Sequence, residues 1–353
     1  MKASDYHRSL TVIAILAFEA PIALCFQSSR ISSALRTAHD LRRGVCQRPA
    51  VSGTRSCSPS SSLRACMPSH RVVILPGFGN AQEDYIDPFG CGFEQSITCA
   101  LEKRGHQVQV MPLKRAQWLN VLWGIFTLSF WLGKSSPYEP GYGWYVNMAR
   151  REISRAYEAS NKTPVVVIGH SAGGWLGRAV LGDGTWRDED TKTRIVDMIS
   201  CFVSLGTPHS PPSSNAKDIM DMTRGALTWT HENLPGAFLA PRVPYVTVGS
   251  DLIPGDKEGA RGSLGRSAYE SYRLVCGEGS VLGDGVVPLQ SSHLEGSTQV
   301  DLKCYHSISS PRMPEYEIRS TWYGSDSLID SWLNVVGDAV SVSAKAPVLE
   351  ERN

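Results

Sequence analysis

Residues 169–174 read GHSAGG, and this stretch decides the fold of the chain. It follows a short apolar run at 164–168, which is typical of a buried strand, and precedes a helix-like run at 175–181. The pattern G-x-S-x-G places Ser171 at the apex of a sharp turn, where glycines prevent collisions between neighbouring side chains. A strand, a sharp turn and a helix in this order predict that the Ser171 hydroxyl projects from the carboxyl end of a strand.

The groups around this serine determine what chemistry the turn permits. A helix that begins at Ala172 directs the positive end of its dipole, and the amide of Ala172, toward a negative charge developing on a substrate. In this context of strand and helix, the pattern is a nucleophile elbow, and Ser171 is the candidate nucleophile. An ordinary glycine-rich turn between a strand and a helix is the alternative interpretation.

Apolar runs divide the rest of the chain into alternating strands and helices. Strands are predicted at 72–75, 107–111, 199–205, 243–248 and 298–305, and helices at 92–103, 142–160 and 327–336. This alternation predicts an α/β fold with a mostly parallel central sheet and helices on both faces. Ligands of such sheets bind at the carboxyl ends of the strands, where Ser171 is predicted to lie.

Charge and cysteine content exclude some classes of function. The 353 residues include 35 Lys and Arg and 34 Asp and Glu, and a formal net charge of +1 gives no electrostatic case for nucleic acid. Nine scattered cysteines without a C-x-x-C pair predict neither a disulfide framework nor a metal site. We expect one α/β domain at 71–340 and a loose tail at 341–353, with no metal or organic cofactor.

The N-terminal region has the composition of a targeting leader. Segment 1–25 carries basic residues before a short apolar run and small residues at its end, as a secretory signal peptide does. Segment 26–70 is rich in Ser and Arg and contains one acidic residue, which is typical of a transit peptide. Together they resemble the two-part leader of plastid proteins in algae with secondary plastids, and Phe26 fits that resemblance. The alternative is a plain secretory signal and a disordered linker, which predicts a secreted or endomembrane protein.

A serine hydroxyl is a poor nucleophile at neutral pH and needs a base that is oriented by an acid. In folds of this kind the chain order is serine, acid, histidine. His306 directly follows the last predicted strand, from which a loop could place it over Ser171. His293 precedes that strand and is an alternative. His209 lies near the rim of the site but early in the chain, and His231 is assigned to the surface.

Two aspartates compete for the role of the orienting acid. Asp284 lies between two glycines in the sequence GDGVVP at 283–288, ahead of the last predicted strand. Asp251 directly follows the strand at 243–248, which is a common place for the acid in this fold. An Asp-Gly turn without any chemistry would explain Asp284 equally well.

A developing oxyanion requires a second amide, from the loop after the first central strand. Residues 75–80, which read LPGFGN, form this loop. Glycines on both sides of Phe78 permit unusual backbone angles, so that the amide of Phe78 can pair with that of Ala172. The sequence therefore predicts an oxyanion hole formed by Phe78 and Ala172, with a simple turn as the alternative.

Four motifs together resemble the lipase branch of the α/β-hydrolases: LPGF at 75–78, GHSAGG at 169–174, GTPH at 206–209 and GDGVVP at 283–288. They are also similar to plant and algal plastid-type members of unassigned substrate. The resemblance covers about 71–336. It implies hydrolysis of an ester through an acyl-enzyme, with Ser171, Asp284 and His306 as the catalytic triad.

Two insertions, at 114–140 and 251–280, are not dictated by this resemblance and control the choice of substrate. The first contains the apolar run 118–132, which is shorter than a membrane span. As a lid, this run would cover the site and dip into lipid; as a buried helical hairpin, it would pack against the body. The candidate lid residues are Trp118, Trp123, Phe126 and Trp131.

The expected protein is therefore a serine hydrolase that cleaves a carboxylic ester, in particular the ester of a lipid. Its expected partners are that substrate and, by peripheral contact, a membrane; the oligomeric state stays open. The same triad serves thioester or amide hydrolysis and acyl transfer to an alcohol. A binding protein without catalysis on the same scaffold is the alternative from another class.

Overall fold

The structure, a computed structural model, describes residues 69–90, 92–213, 219–308 and 321–343. The predicted leader, 1–25 and 26–70, lies outside the described residues apart from its last two positions, as does the tail beyond residue 343.

Strands and helices alternate along the described chain. The strands are β1 (Arg71–Leu75), β2 (Gln107–Val110), β3 (Val165–His170), β4 (Ile199–Leu205), β5 (Tyr245–Ser250), β6 (Ile253–Pro254), β7 (Leu282–Gly283) and β8 (Thr298–Leu302). The α-helices are α1 (Glu83–Ile86), α2 (Ile97–Glu102), α3 (Leu128–Trp131), α4 (Gly143–Ala159), α5 (Ala172–Leu181), α6 (Ala226–Asn233), α7 (Leu264–Cys276), α8 (Leu289–Ser292) and α9 (Asp330–Ser343). Shorter 3₁₀ segments are Pro88–Gly90, Phe93–Gln95 and Ile195–Asp197, and a longer one is Arg115–Phe126.

Six of the described strands form one sheet in the order β2-β1-β3-β4-β5-β8, and every neighbouring pair is parallel. Strands β3 and β5 are buried along their whole length, because helices cover both faces of a parallel sheet. Helices α4 and α5 pack against β1 and β3 on one face, whereas α9 contacts β4 and β5. The predicted parallel α/β architecture is confirmed.

The main core lies between the sheet and the helices α4 and α5. Side chains from alternate positions of the strands, such as Val73, Leu75 and Val167, join it with the helix residues Tyr145 and Trp175. The remaining strand residues, equally buried, face the other side, as the two-residue period of a strand requires. The sheet is therefore fixed from both faces, and its carboxyl edge is a rigid platform.

The predicted single helix at 92–103 is wrong in its first turn. Phe93–Gln95 is a 3₁₀ turn, and Ser96 has an extended backbone, so that α2 begins only at Ile97. The Ser96 hydroxyl accepts a hydrogen bond from the amide of Cys99, which is the arrangement of a helix N-cap.

The last helix begins later and ends later than predicted. It runs through Gly337 as Asp330–Ser343, so the start of the segment predicted to be a loose tail is helical. A glycine inside a helix costs only about 1 kcal/mol relative to alanine. Burial of Trp332, Leu333 and Val336 outweighs this cost.

Both insertions have local structure of their own. The first contains the 3₁₀ segment Arg115–Phe126 and helix α3. The second contains α7 and is bordered by β6 and β7, which pair as a small antiparallel ribbon. In the described part of the chain, no helix is long and apolar enough to cross a bilayer.

Candidate active site

Ser171 occupies the predicted turn between β3 and α5, at the carboxyl end of a central strand. Its backbone angles are φ 53° and ψ −127°, a region that L residues rarely adopt and that the surroundings must enforce. A Cβ on Gly169 would lie 2.5 Å from the carbonyl oxygen of Gly173, and one on Gly173 would lie 2.2 Å from that of Leu75. The motif requires glycine at both positions because backbone segments approach them directly.

The loop after β1 passes directly in front of this serine. A Cβ on Gly77 would lie 2.7 Å from the Cβ of Ser171, so the loop and the nucleophile turn are in contact. The next residue is Phe78, whose ring packs on Trp118 with the centroids 4.9 Å apart. The structure thus places Phe78 in the loop beside Ser171, and Ala172 as the first residue of α5.

Two tyrosine hydroxyls fix the peptide bond between Pro76 and Gly77. Tyr145 donates a hydrogen bond to the Pro76 carbonyl at 2.7 Å, and the Gly77 amide donates to the Tyr85 hydroxyl at 3.0 Å. Both rings are buried. The peptide that precedes the Phe78 amide is therefore held from both sides, which limits its rotation.

Asp284 and His306 form a buried hydrogen-bonded pair at the same edge of the sheet. The Nδ1 atom of His306 is 2.8 Å from Oδ2 of Asp284, and the two side chains are 10% and 0% exposed. The backbone amide of His306 also donates to the Asp284 carbonyl at 3.0 Å. Two contacts between the same two residues hold the imidazole in one orientation and place the proton on Nδ1.

The Asp284 carboxylate accepts hydrogen bonds from three further donors. The Tyr323 hydroxyl donates to Oδ2 at 2.9 Å, and the amides of Val286 and Val287 donate to Oδ1 at 2.9 and 2.7 Å. Together with His306, these donors engage both carboxylate oxygens and fix the orientation of the Asp284 side chain. Burial and the neighbouring Asp284 charge raise the pKa of Tyr323 well above its ordinary value, so that this hydroxyl remains a donor.

The nucleophile turn and the pair meet where β3 and β4 end side by side. The Ser171 amide donates to the Leu205 carbonyl at 2.9 Å, and a Cβ on Gly206 would lie 2.7 Å from Oδ2 of Asp284. The ring of His170, next to Ser171, lies 5.0 Å from that of His306. In the described part of the chain no hydrogen bond joins the Ser171 hydroxyl to His306. Such bonds often tighten only when substrate binds.

The alternative acid and base candidates have other partners. Asp251 forms an ion pair with Lys303 at 2.7 Å. His293 lies against β5, where its Nδ1 is 2.9 Å from the Thr247 hydroxyl and its Nε2 is 2.7 Å from Asp301.

His209 and His231 do not join the pair either. The Nε2 atom of the buried His209 is 2.8 Å from the Ser204 hydroxyl, inside the protein. His231 lies near the end of α6 and is exposed. The structure therefore brings Asp284, and none of these alternatives, to His306.

The four candidate lid residues fall into two groups. Trp118 is buried and packs at a tilt against the rings of Phe78 and Tyr145, and its indole N–H donates to the Asn80 carbonyl at 2.9 Å. It belongs to the core, which differs from the expectation for an exposed lid residue. The other three are 59%, 76% and 46% exposed, in the order Trp123, Phe126 and Trp131.

Several residues of this site were not predicted from the sequence. Tyr85, Tyr145 and Tyr323 fix the loop and the acid, yet none of these tyrosines lies within a motif. His170 lies within the motif, but only the structure shows its contacts. Among the described residues, no group of three or more His, Cys, Asp or Glu side chains is arranged to hold a metal ion.

The parallel sheet, the serine on a strained turn after β3 and the acid and histidine at the later strand ends define the α/β-hydrolase fold. Residues 143–232, which include the nucleophile turn, match the family model described as "PGAP1-like alpha/beta domain". This match supports a place in the α/β-hydrolase superfamily. The comparison with curated proteins gave no match.

Among solved structures, the chain is similar to a lipase of Bacillus licheniformis in its mature form, with a TM-score of 0.45 and 14% identity over 79% of this chain and 96% of that one. It is also similar to the esterase domain of a Rhodothermus marinus protein, with a TM-score of 0.37 and 13% identity over 78% of this chain and 89% of that one.

Proposed function

We propose that the protein is a serine hydrolase that cleaves a carboxylic ester through an acyl-enzyme on Ser171. The observation that carries this proposal is the buried Asp284–His306 pair, at 2.8 Å, on the same sheet edge as a serine held at φ 53°. A buried acid that orients a histidine beside a strained serine is the arrangement that activates a hydroxyl for attack.

In the proposed mechanism, Nε2 of His306 removes the proton of the Ser171 hydroxyl as its oxygen attacks the ester carbonyl. Asp284 keeps the proton of the neutral imidazole on Nδ1 and stabilises the imidazolium that forms. The amides of Phe78 and Ala172 donate to the oxyanion. When the tetrahedral intermediate collapses, His306 returns its proton to the leaving alcohol, and the acyl group stays on Ser171. Water then repeats these steps and releases the acid.

We further propose that the substrate is the ester of a lipid, presented at a membrane or an aggregate. Support comes from an apolar patch that comprises the exposed residues Leu119, Trp123, Phe126, Leu128, Trp131 and Leu132. The segment that carries this patch is anchored beside Ser171, because Arg115 donates to the Gly79 carbonyl at 2.7 Å and Trp118 packs on Phe78. A lipid surface that binds the patch would therefore lie near the site.

Labelling with a fluorophosphonate tests the nucleophile. We expect the probe to modify the peptide that contains Ser171, and Ser171→Ala to abolish both labelling and hydrolysis of a soluble nitrophenyl ester. Ser160→Ala, which removes a half-buried serine hydroxyl at the end of α4, is the control and should change neither. Labelling that survives Ser171→Ala would disprove the assignment of the nucleophile.

A liposome assay tests the apolar patch. Each aromatic side chain that enters lipid contributes about 1.5–3 kcal/mol, so changing Trp123, Phe126 and Trp131 to Ser should abolish binding to phosphatidylcholine vesicles and activity on aggregated ester. Hydrolysis of the soluble ester should persist. Phe126→Ser alone should weaken binding more than Phe238→Ser, which removes an exposed phenylalanine elsewhere. Loss of both activities together with a lowered melting temperature would instead indicate packing against the body.

A substrate panel distinguishes the reactions that this triad permits. We expect the purified protein to cleave lipid esters faster than matched thioesters and amides, and to release free acid when an alcohol is added. A dominant transesterified product would assign acyl transfer instead, and a folded protein without labelling or turnover would favour a binding function.

We also propose delivery to a plastid of the complex algal type, and the composition of residues 1–70 supports this proposal. A reporter fused to residues 1–70 should reach the plastid through the endomembrane system, and Phe26→Ala should stop it in an outer compartment. Secretion of the unchanged fusion would support a plain signal peptide.

A further inference from the structure

His170, the variable residue of the G-x-S-x-G motif, is buried between the loop after β1 and the loop that carries His306. Its Nδ1 atom is 2.8 Å from the Tyr85 hydroxyl, and its Nε2 atom is 2.9 Å from the backbone carbonyl of His306. The mechanism proposed above gives this side chain no task. Both nitrogens nevertheless contact segments that hold groups of the site.

The numbers of donors and acceptors on Tyr85 and His170 determine the direction of each hydrogen bond between Gly77, Tyr85, His170 and His306. The Tyr85 hydroxyl accepts from the Gly77 amide and from the Asn80 side-chain amide, each at 3.0 Å. Both lone pairs are then used, so the hydroxyl proton must go to Nδ1 of His170. The imidazole consequently carries its own proton on Nε2 and donates it to the His306 carbonyl.

The environment of His170 maintains this single state. Burial, with a smaller effect of the neighbouring His306, lowers the pKa of His170 to about 3, so that the ring is neutral wherever the enzyme would work. Burial raises the pKa of Tyr85 well above its ordinary value, so that its hydroxyl keeps the proton. The ring is also wedged edge-on against Tyr85 and Trp322, with centroids 5.8 Å away in each case.

From these contacts we infer that His170 is a positioning residue, which locks the oxyanion loop and the base loop into one unit through the chain Gly77–Tyr85–His170–His306. At one end, the chain holds the peptide that precedes the Phe78 amide. At the other end, it fixes the main chain of His306, whose ring and amide are already bound to Asp284. This inference rests on the proposed function, because it assigns His170 to the positioning of the groups that would react.

The expected kinetic effect lies in turnover, because the chain positions reacting groups and does not touch the substrate. We expect His170→Leu to lower kcat by about 10- to 100-fold while KM changes less than about threefold. His170→Gln places an amide donor near the Nε2 position and should recover most of kcat. The shorter side chain of His170→Asn can accept a hydrogen bond from Tyr85 but places no donor near the His306 carbonyl, so it should not recover kcat. This rescue by glutamine is a result that loss of packing alone would not produce.

His209→Leu is the matched control, since it also removes a buried histidine that accepts or donates one side-chain hydrogen bond after a central strand. It should leave kcat within about threefold, and a melting curve of each variant should report folding. The double variant of His170→Leu and Tyr85→Phe should lose no more than the larger single loss, because both break one chain.

A proton NMR signal provides a readout that does not depend on activity. The proton between Nδ1 of His306 and Asp284 should give a downfield resonance that disappears in Asp284→Asn. We expect it to shift or broaden in His170→Leu and to stay in His170→Gln and His209→Leu. If the resonance changes in His170→Leu and stays in His170→Gln, but the wild-type protein cleaves no ester, the proposed function fails and the positioning role stands.

Three results would overturn the inference. One is equal kcat for the leucine, asparagine and glutamine variants of His170 in an enzyme that needs Ser171. The other two are an unchanged His306 resonance in His170→Leu and additive losses in the double variant, since either would show that the two loops are positioned separately.

Discussion

Two histidine–aspartate pairs with nearly the same hydrogen-bond distance lie in opposite environments. His306 and Asp284 are 2.8 Å apart at the carboxyl edge of the sheet, whereas His293 and Asp301 are 2.7 Å apart beside strands β5 and β8. The Asp284 side chain is 0% exposed and that of Asp301 is 61% exposed. A short distance between a histidine and an acid therefore does not identify a catalytic pair.

The environment of the carboxylate separates the two pairs. Asp284 is enclosed and accepts from His306, Tyr323 and two backbone amides, so the orientation of its carboxylate is fixed. Asp301 is 61% exposed, so water screens its charge. A preorganised charge acts on a neighbouring imidazole without the cost of reorganisation, which is what a general base requires.

The strongest test removes each histidine in turn. We expect His306→Ala to lower turnover of a soluble ester by about 10³-fold or more, because the members of a triad act as a unit. His293→Ala should leave turnover within about threefold, since His293 is hydrogen-bonded to Thr247 and Asp301 and not to Asp284. Steady-state rates, with melting curves for both variants, measure the contrast. Comparable losses in two folded variants would contradict the distinction between the pairs.

Each pair is packed against a glycine, Gly206 for Asp284 and His306 and Gly249 for His293. Replacing either glycine with alanine tests how much space the neighbouring pair has. Gly206 has φ +53°, and its Cβ would lie within 2.7 Å of both Asp284 and the Tyr323 ring; we expect Gly206→Ala to lower kcat by about 100-fold. A Cβ on Gly249 would meet Leu289 at 2.6 Å and His293 at 3.3 Å.

Gly249→Ala should therefore cost about 1–3 kcal/mol of stability by overpacking and leave kcat nearly unchanged. Urea unfolding and ester kinetics on both glycine variants separate the two effects. If Gly249→Ala inactivates a folded protein, the position of His293 matters to the reaction.

Removal of one hydroxyl from each pair should give a smaller difference. Tyr323→Phe deletes one donor to Asp284 and should lower kcat about tenfold, with the remaining donors still in place. Thr247→Val removes the hydroxyl 2.9 Å from His293 and should leave kcat unchanged. A normal rate for Tyr323→Phe would show that the other three donors suffice to hold the acid.

The smallest expected effect concerns the exposed pair itself. Asp301→Asn should change the free energy of unfolding by less than about 1 kcal/mol, because Asp301 is 61% exposed and interactions of a solvated carboxylate contribute little. The change should shrink further when salt is added. A loss above about 2 kcal/mol in urea unfolding would mean that water does not screen this pair as its exposure indicates.

The sequence was a good guide to the sheet and to the residues on it. Continuous apolar runs predicted the buried strands, and the run at 199–205 coincides with β4 (Ile199–Leu205). The position of each histidine relative to the last predicted strand separated His306, which follows it, from His293, which precedes it. In the structure, Asp284 is hydrogen-bonded to His306. The proposed roles of these residues stay predictions until they are tested.

The apolar insertion shows where pattern analysis reaches its limit. The apolar composition of residues 118–132 is compatible with both a lid and a buried hairpin. The segment is largely a 3₁₀ helix, in which every third residue shares a face, so Trp118, Val121 and Gly124 turn toward the body. Trp123 and Phe126 consequently point away from it and are exposed. Because the sequence did not indicate a three-residue repeat, it could not separate Trp118 from its neighbours.

Contacts between distant parts of the chain could not be predicted from the sequence either. Tyr323 reaches Asp284 across 39 residues, and Tyr85 reaches His170 across 85. Neither tyrosine lies in a motif or on a periodic stripe, since each position is set by how loops cross the edge of the sheet. These partners are the part of the site that only three-dimensional packing defines.

The order of the site along the chain affects the protein while it is being synthesised. The serine turn lies between β3 and α5, whereas Asp284, His306 and Tyr323 follow more than a hundred residues later. At ribosomal rates of about 5–20 residues per second, the serine waits roughly 6–30 s for its partners. The base comes directly after β8, the edge strand that completes the sheet. A nascent chain thus carries an unactivated serine, and reactivity would arise only when the last strand docks.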